Sequence, residues 1–218
     1  MQAVHTSRHA SNEQLDVHRH AAANAALVLE GGFTESSVDG RFECRPGTLA
    51  IRPPWHLHAD LFGGHLTTVI NITLPLSDAY RMVQVSDVDG LVRLIRRHPQ
   101  QAIHAVQEEA ESVTAIAPAD WVARLSAMLA CDAGLDIASI AQHCGVSTDH
   151  AIRTCKRWFG LSPAALRRER RLQRAITMLR DGAAPVEVAA LTGFSDQPHM
   201  TRLLKRATGL TPAAMSRH

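Results

Sequence analysis

The chain has 218 residues and a mass of 23.7 kDa, room for one large domain or two modest ones and too long for a stapled mini-domain. With 45% hydrophobic and 20% charged residues, it excludes wholesale disorder and a bundle of membrane helices. The net charge of +2 hides an asymmetry: residues 1–118 hold 9 basic and 13 acidic side chains, whereas residues 119–218 hold 14 and 8. A basic C-terminal half suits a polyanion, so nucleic acid is the leading partner.

The N-terminus is polar from Met1 to Asp16 and carries no signal-peptide core, and no apolar run reaches the ~18–20 residues of a membrane span. Cys44, Cys131, Cys144 and Cys155 form no CxxC pair and no regular framework. Reduced thiols and a cytoplasmic protein without a membrane partner are therefore expected.

Residues 1–16 show little periodicity and read as a loose arm. From His18 to Leu74, short β-rich runs such as Ala25–Leu29, Arg41–Cys44, Leu49–Ile51 and Thr67–Leu74 alternate with Gly and Pro turns. That spacing predicts a small antiparallel barrel or sandwich over 1–74. After Pro75 the pattern turns helical: Val88, Leu91, Val92 and Ile95 share one face, and Pro99 starts a second helix to about Glu111. Residues 75–118 thus read as a helical connector and a candidate dimerisation segment. Pro118 marks the border to the third segment, 119–218, which opens with a helix over Ala119–Ala130.

Beyond that helix a unit occurs twice. Ile137–Val146 reads as a short helix and a turn with Gly145, and Ser147 caps a second helix, Thr148–Phe159. Val186–Phe194 repeats the short helix and turn with Gly193, before a helix from about Asp196 to Thr208. The two units end alike, in Gly160-Leu161-Ser162-Pro163 and Gly209-Leu210-Thr211-Pro212, the chemistry of a left-handed stop followed by a new N-cap and N1 proline. Helix, glycine turn and helix is the helix-turn-helix pattern. One Arg-rich helix from Pro163 to about Asp181 joins the two copies.

These residues, with the run Gly193-Phe194-Ser195-Asp196-Gln197-Pro198-His199-Met200-Thr201-Arg202-Leu203-Leu204-Lys205-Arg206, resemble the AraC/XylS family of bacterial transcription regulators over about Ala119 to the C-terminus. The resemblance implies an all-α DNA-binding domain with two recognition helices and double-stranded promoter or operator DNA as partner. It implies no catalytic activity, and it adds RNA polymerase, a second copy of the chain and a small effector as further partners. Carried over position by position, the first recognition helix presents Asp149, Ile152 and Arg153, and the second presents Gln197, Pro198, Thr201 and Arg202. Lys156, Arg168 and Lys205 are further DNA contacts. Arg pairs with guanine O6 and N7, Gln with adenine, and the Thr or Ile methyl groups with thymine.

The N-terminal part resembles the small cupin-like barrel that many such regulators carry. The carriers are His18-Arg19-His20, Leu29-Glu30-Gly31-Gly32, Arg45-Pro46-Gly47-Thr48-Leu49 and Pro53-Pro54-Trp55-His56-Leu57-His58. Cupins hold divalent metal on histidines of neighbouring strands, so His18, His20, His56 and His58 are candidate ligands, with Glu30 or Cys44 as an added donor. The expectation is an α+β, two-domain protein whose N-terminal barrel takes a small organic effector or a divalent metal. The rival readings are a metal-responsive regulator and a metal-cupin enzyme with a DNA-binding tail.

Overall fold

Ala25, Ala26, Leu27 and Val28 form an unbroken apolar run because the strand that holds them is covered on both faces. The computed structural model describes residues 4–74, 79–98, 101–102, 111–131 and 134–216. They fall into two units, 1–117 and 118–218.

The first unit is built on ten strands: β1 (Val4–His9), β2 (Gln14–Arg19), β3 (Asn24–Glu30), β4 (Phe33–Ser37), β5 (Gly40–Cys44), β6 (Thr48–Arg52), β7 (Leu57–Phe62), β8 (Thr67–Thr73), β9 (Arg81–Gln84) and β10 (Glu111–Ser112). They make a six-stranded sheet in the order β1-β8-β3-β6-β9-β10 and a four-stranded sheet in the order β2-β7-β4-β5. All the pairings are antiparallel.

Alternation along the strands sends side chains to two cores. Ala26, Val28, Phe33, Phe42, Cys44, Ala50, Phe62, Val69 and Met82 pack together as one cluster. Ala25, Leu27, Leu49, Ile51, Ile72 and Val83 point the other way and meet Leu91 and Ile95 of helix α1 (Val88–Arg97). Asp87 caps α1 by accepting the Gly90 amide hydrogen at 2.8 Å.

Two expectations change here. Residues 4–16 are not a loose arm: β1 pairs with β8 along its whole length, and β2 pairs with β7. Nor do the described residues of the segment 75–118 make a separate helical connector, because β9 pairs with β6, β10 pairs with β9, and α1 covers the first core. The second connector helix, expected from Pro99 to about Glu111, lies largely outside the described residues; Gln101 and Ala102 are helical and Glu111 already belongs to β10.

The second unit is helical: α2 (Asp120–Ala130), α3 (Ile137–His143), α4 (Thr148–Phe159), α5 (Pro163–Arg180), α6 (Pro185–Leu191), α7 (Gln197–Thr208) and α8 (Pro212–Met215). Helix α5 is its spine and packs against α2, α4, α6, α7 and α8. Its inward stripe of Leu166, Leu172, Ala175, Ile176 and Leu179 repeats at helical spacing. Among the described residues, no helix is long and apolar enough to cross a membrane.

Candidate nucleic-acid interface and histidine cavity

The two helix-turn-helix copies are built by the same local chemistry. The α3–α4 turn passes through Gly145 at φ 72° and the α6–α7 turn through Gly193 at φ 77°, a left-handed conformation open to glycine. Ser147 accepts from the His150 amide at 3.3 Å, and Asp196 accepts from the His199 amide at 2.6 Å, so each second helix starts on a side-chain cap. Gly160 and Gly209 end these helices in the same left-handed state, with their amides bonded to the Lys156 and Lys205 carbonyls.

Position for position the helices match at a fixed offset: Ala151 with Met200, Arg153 with Arg202, Lys156 with Lys205 and Gly160 with Gly209. In α4, Ala151, Cys155 and Phe159 are buried, leaving Asp149, Arg153 and Lys156 exposed and Ile152 half-buried. In α7, Met200 and Leu204 are buried, Pro198, Arg202 and Lys205 are exposed, and Gln197 and Thr201 are half-buried. The i, i+4, i+7 spacing of Asp149, Arg153 and Lys156, and of Pro198, Arg202 and Lys205, makes one ridge on each helix.

The arginines of α5 divide. Arg168 is exposed. Arg170 donates from Nη2 to Ser126 Oγ at 2.7 Å and lies over the Phe159 ring, tying α5 to α2 and α4. Arg174 donates to the Leu191 carbonyl at 3.4 Å. Part of that basic helix therefore holds the unit together rather than facing solvent.

A family profile described as a helix-turn-helix domain matches residues 140–218. The arabinose operon regulatory protein of Escherichia coli (strain K12) is 31% identical over 83 residues, which is 38% of this chain and 28% of that protein. Its counterpart in Salmonella typhimurium is also 31% identical over 83 residues and is covered to 30%. The profile match falls wholly within the helical C-terminal unit. The chain thus matches less than a third of the length of these curated relatives. Among solved structures, a regulator with an AraC-type DNA-binding domain from Chromobacterium violaceum is 24% identical, covering 44% of this chain and 89% of that one at a TM-score of 0.41. ToxT from Vibrio cholerae O395 is 11% identical over 97% of this chain and 96% of its own, at a TM-score of 0.45.

The first unit holds a cavity of about 540 Å³. Its walls include His5, Ser7 and His9 of β1, His18 and His20 at the end of β2, and His58, Asp60 and Phe62 of β7. The polar side chains of β1 face this cavity at alternate positions, and β2 sends His18 and Arg19 to it, which is why those strands show no apolar alternation in the sequence.

His18 stands opposite His58 in the β2–β7 register, and His18, His20 and His58 form one cluster whose ligand nitrogens lie within 4.8 Å of one another. Partial desolvation of its ring against the cavity wall, followed by the charge of His18, lowers the His20 pKa to about 4; burial and the neighbouring Arg52 depress that of His58 further. Both rings are neutral at neutral pH. His56 does not join them: its Nε2 donates to Asp39 at 2.8 Å, and its ring stacks on Tyr80 at 4.3 Å. Nor do the two added donors, because Glu30 is exposed and accepts from Thr68, and Cys44 is buried in the core cluster that holds Phe33 and Phe42.

Sequence reasoning missed the charged group beside the cluster. Arg52 of β6 is 3% exposed and donates to both carboxylate oxygens of Glu35, to which Tyr80 also donates at 3.0 Å. Asp60 sits opposite Glu35 in the β4–β7 register. Burial and then the Glu35 charge push its carboxyl up to about 7, against the pull of Arg52. The available signal was the alternation His58-x-Asp60-x-Phe62, which places the carboxylate on the same face of β7 as the histidine.

Proposed function

We propose that the chain is a transcription regulator of the AraC/XylS type, in which α4 and α7 enter successive major grooves of one duplex and the first unit receives a small ligand. The duplicated helix-turn-helix carries this reading: two recognition helices with the same cap, the same stop and an exposed arginine at the same position. Arg153 and Arg202 read base edges, guanine above all, while Asp149, Ile152, Gln197, Pro198 and Thr201 complete the two ridges. Lys156, Lys205 and Arg168 contact phosphate and make the affinity salt-dependent.

The 18 residues of α5 span about 27 Å and set the spacing of the two readers without a flexible joint. One chain then reads an asymmetric site of about two helical turns. The cavity, polar at its histidine end and apolar at Phe33 and Phe62, supports the ligand-receiving role of the first unit. The relatives' names as regulators of an operon agree with this assignment.

Selection of bound duplexes from a random library tests the reading. Enrichment of one asymmetric motif of about 20 base pairs is expected. Recovery of sequences no different from the input library, with equal affinity for random DNA, would overturn it.

A further inference from the structure

Three observations at the polar end of the cavity converge on a ligand. The rings of His18, His20 and His58 lie with centroids 4.3, 5.0 and 5.4 Å apart. The His20 backbone is held by the turn that follows β6: the Trp55 amide donates to the His20 carbonyl at 2.7 Å, and Trp55 itself is held at φ 59°, a strained conformation for a bulky residue.

The tautomers are fixed as well. His18 Nδ1 lies 2.8 Å from the Asp16 carbonyl oxygen, and His58 Nδ1 lies 3.2 Å from the His56 carbonyl oxygen. A carbonyl oxygen only accepts, so each Nδ1 carries the hydrogen and each Nε2 keeps its lone pair, the arrangement by which proteins orient metal-binding imidazoles. Finally, Asp60 is 6% exposed and lines the cavity, and its Oδ1 has no hydrogen-bond partner. Two buried carboxylates, Glu35 and Asp60, face the single guanidinium of Arg52.

We propose that His18, His20 and His58 bind one divalent ion of the zinc, nickel, cobalt and copper group, with the Asp60 carboxylate as its anionic partner. Imidazole nitrogen selects this group over magnesium and calcium. The half-buried His18 and the exposed His20 leave an entry path from solvent. The inference rests on the reading of the first unit as the ligand-receiving part. It is tested on the full chain without DNA, so its failure leaves the DNA-binding assignment standing.

The experiment titrates zinc ion alone into chelator-treated full-length protein, with metal content after desalting and cobalt absorption as readouts. One equivalent per chain is expected. His20→Ala, a change at an exposed position, should weaken binding by at least ~10-fold, and Asp60→Asn by roughly 10- to 100-fold, while His65→Ala, an exposed histidine outside the cavity, leaves it unchanged. Zinc at the background level in the wild-type chain, or unaltered affinity in His20→Ala, overturns the site. Unaltered affinity in Asp60→Asn overturns the role given to that carboxylate.

Discussion

Arg52 and Glu35, carried by strands of opposite sheets, form a fork across the interior of the first unit: Arg52 Nε lies 3.2 and 3.1 Å from the two Glu35 oxygens, and Nη2 donates to Oε2 as well. Neither side chain is more than 4% exposed. Removing one partner strands the other charge in a medium that solvates it poorly. Arg52→Met is expected to lower the unfolding free energy of the first unit by about 3–5 kcal/mol, read by denaturant melts, and Glu35→Gln to cost less because the amide still accepts from the guanidinium. A loss under 1 kcal/mol for Arg52→Met contradicts the assignment.

Arg202 and Arg168 separate base reading from phosphate contact. Arg202→Ala is expected to cost ~1–3 kcal/mol on the selected site and to relax preference at one base pair, whereas Arg168→Ala weakens selected and random DNA alike. Anisotropy titrations on both duplexes at matched salt check this, and equal losses on the two duplexes for Arg202→Ala count against a base contact.

Gly209 closes the second recognition helix at φ 76°, and a Cβ placed there meets nothing within 4 Å. The cost of Gly209→Ala is therefore backbone strain alone, about 1–2 kcal/mol of domain stability. A thermal melt of the variant shows whether the stop is as local as it looks; an unchanged or raised midpoint speaks against it.

The four thiols differ sharply. Cys131 is exposed, whereas Cys44, Cys144 and Cys155 are buried. Burial pushes the Cys155 thiol up to about 11 and raises that of Cys44, so both stay protonated at pH 8 and are poor nucleophiles. A disulfide reagent added to native protein at pH 8 should consume one equivalent rapidly and the remaining three only on unfolding. A second fast equivalent contradicts the packing of Cys155 on the inner face of α4.

The helical unit was legible because its signals are local. A cap at Ser147, a stop at Gly160 and a proline at Pro163 act within a few residues of themselves, and their recurrence at Asp196, Gly209 and Pro212 makes the duplication visible. The first unit was legible only where strands face a core. β1 and β2 line a polar cavity, so their inward faces carry His5, Ser7, His9 and His18 and read as a loose arm. β9 lies beyond the expected end of the barrel at Leu74, and its pairing with β6 spans more than thirty residues of sequence. Of the four candidate metal histidines three come together and His56 does not, because its strand-start position turns it toward Asp39 and Tyr80. Asp60 and the Arg52–Glu35 pair gave no motif; only strand register brings them to the histidines.

The central claim is that two recognition helices in one chain read two grooves, and hydroxyl-radical footprinting of the full chain on its selected duplex tests it most directly. The account predicts two protected patches on one face of the DNA, centred about 10 base pairs apart, with Arg153→Ala weakening one patch and Arg202→Ala the other. A single protected patch, insensitive to one of the two substitutions, would contradict it.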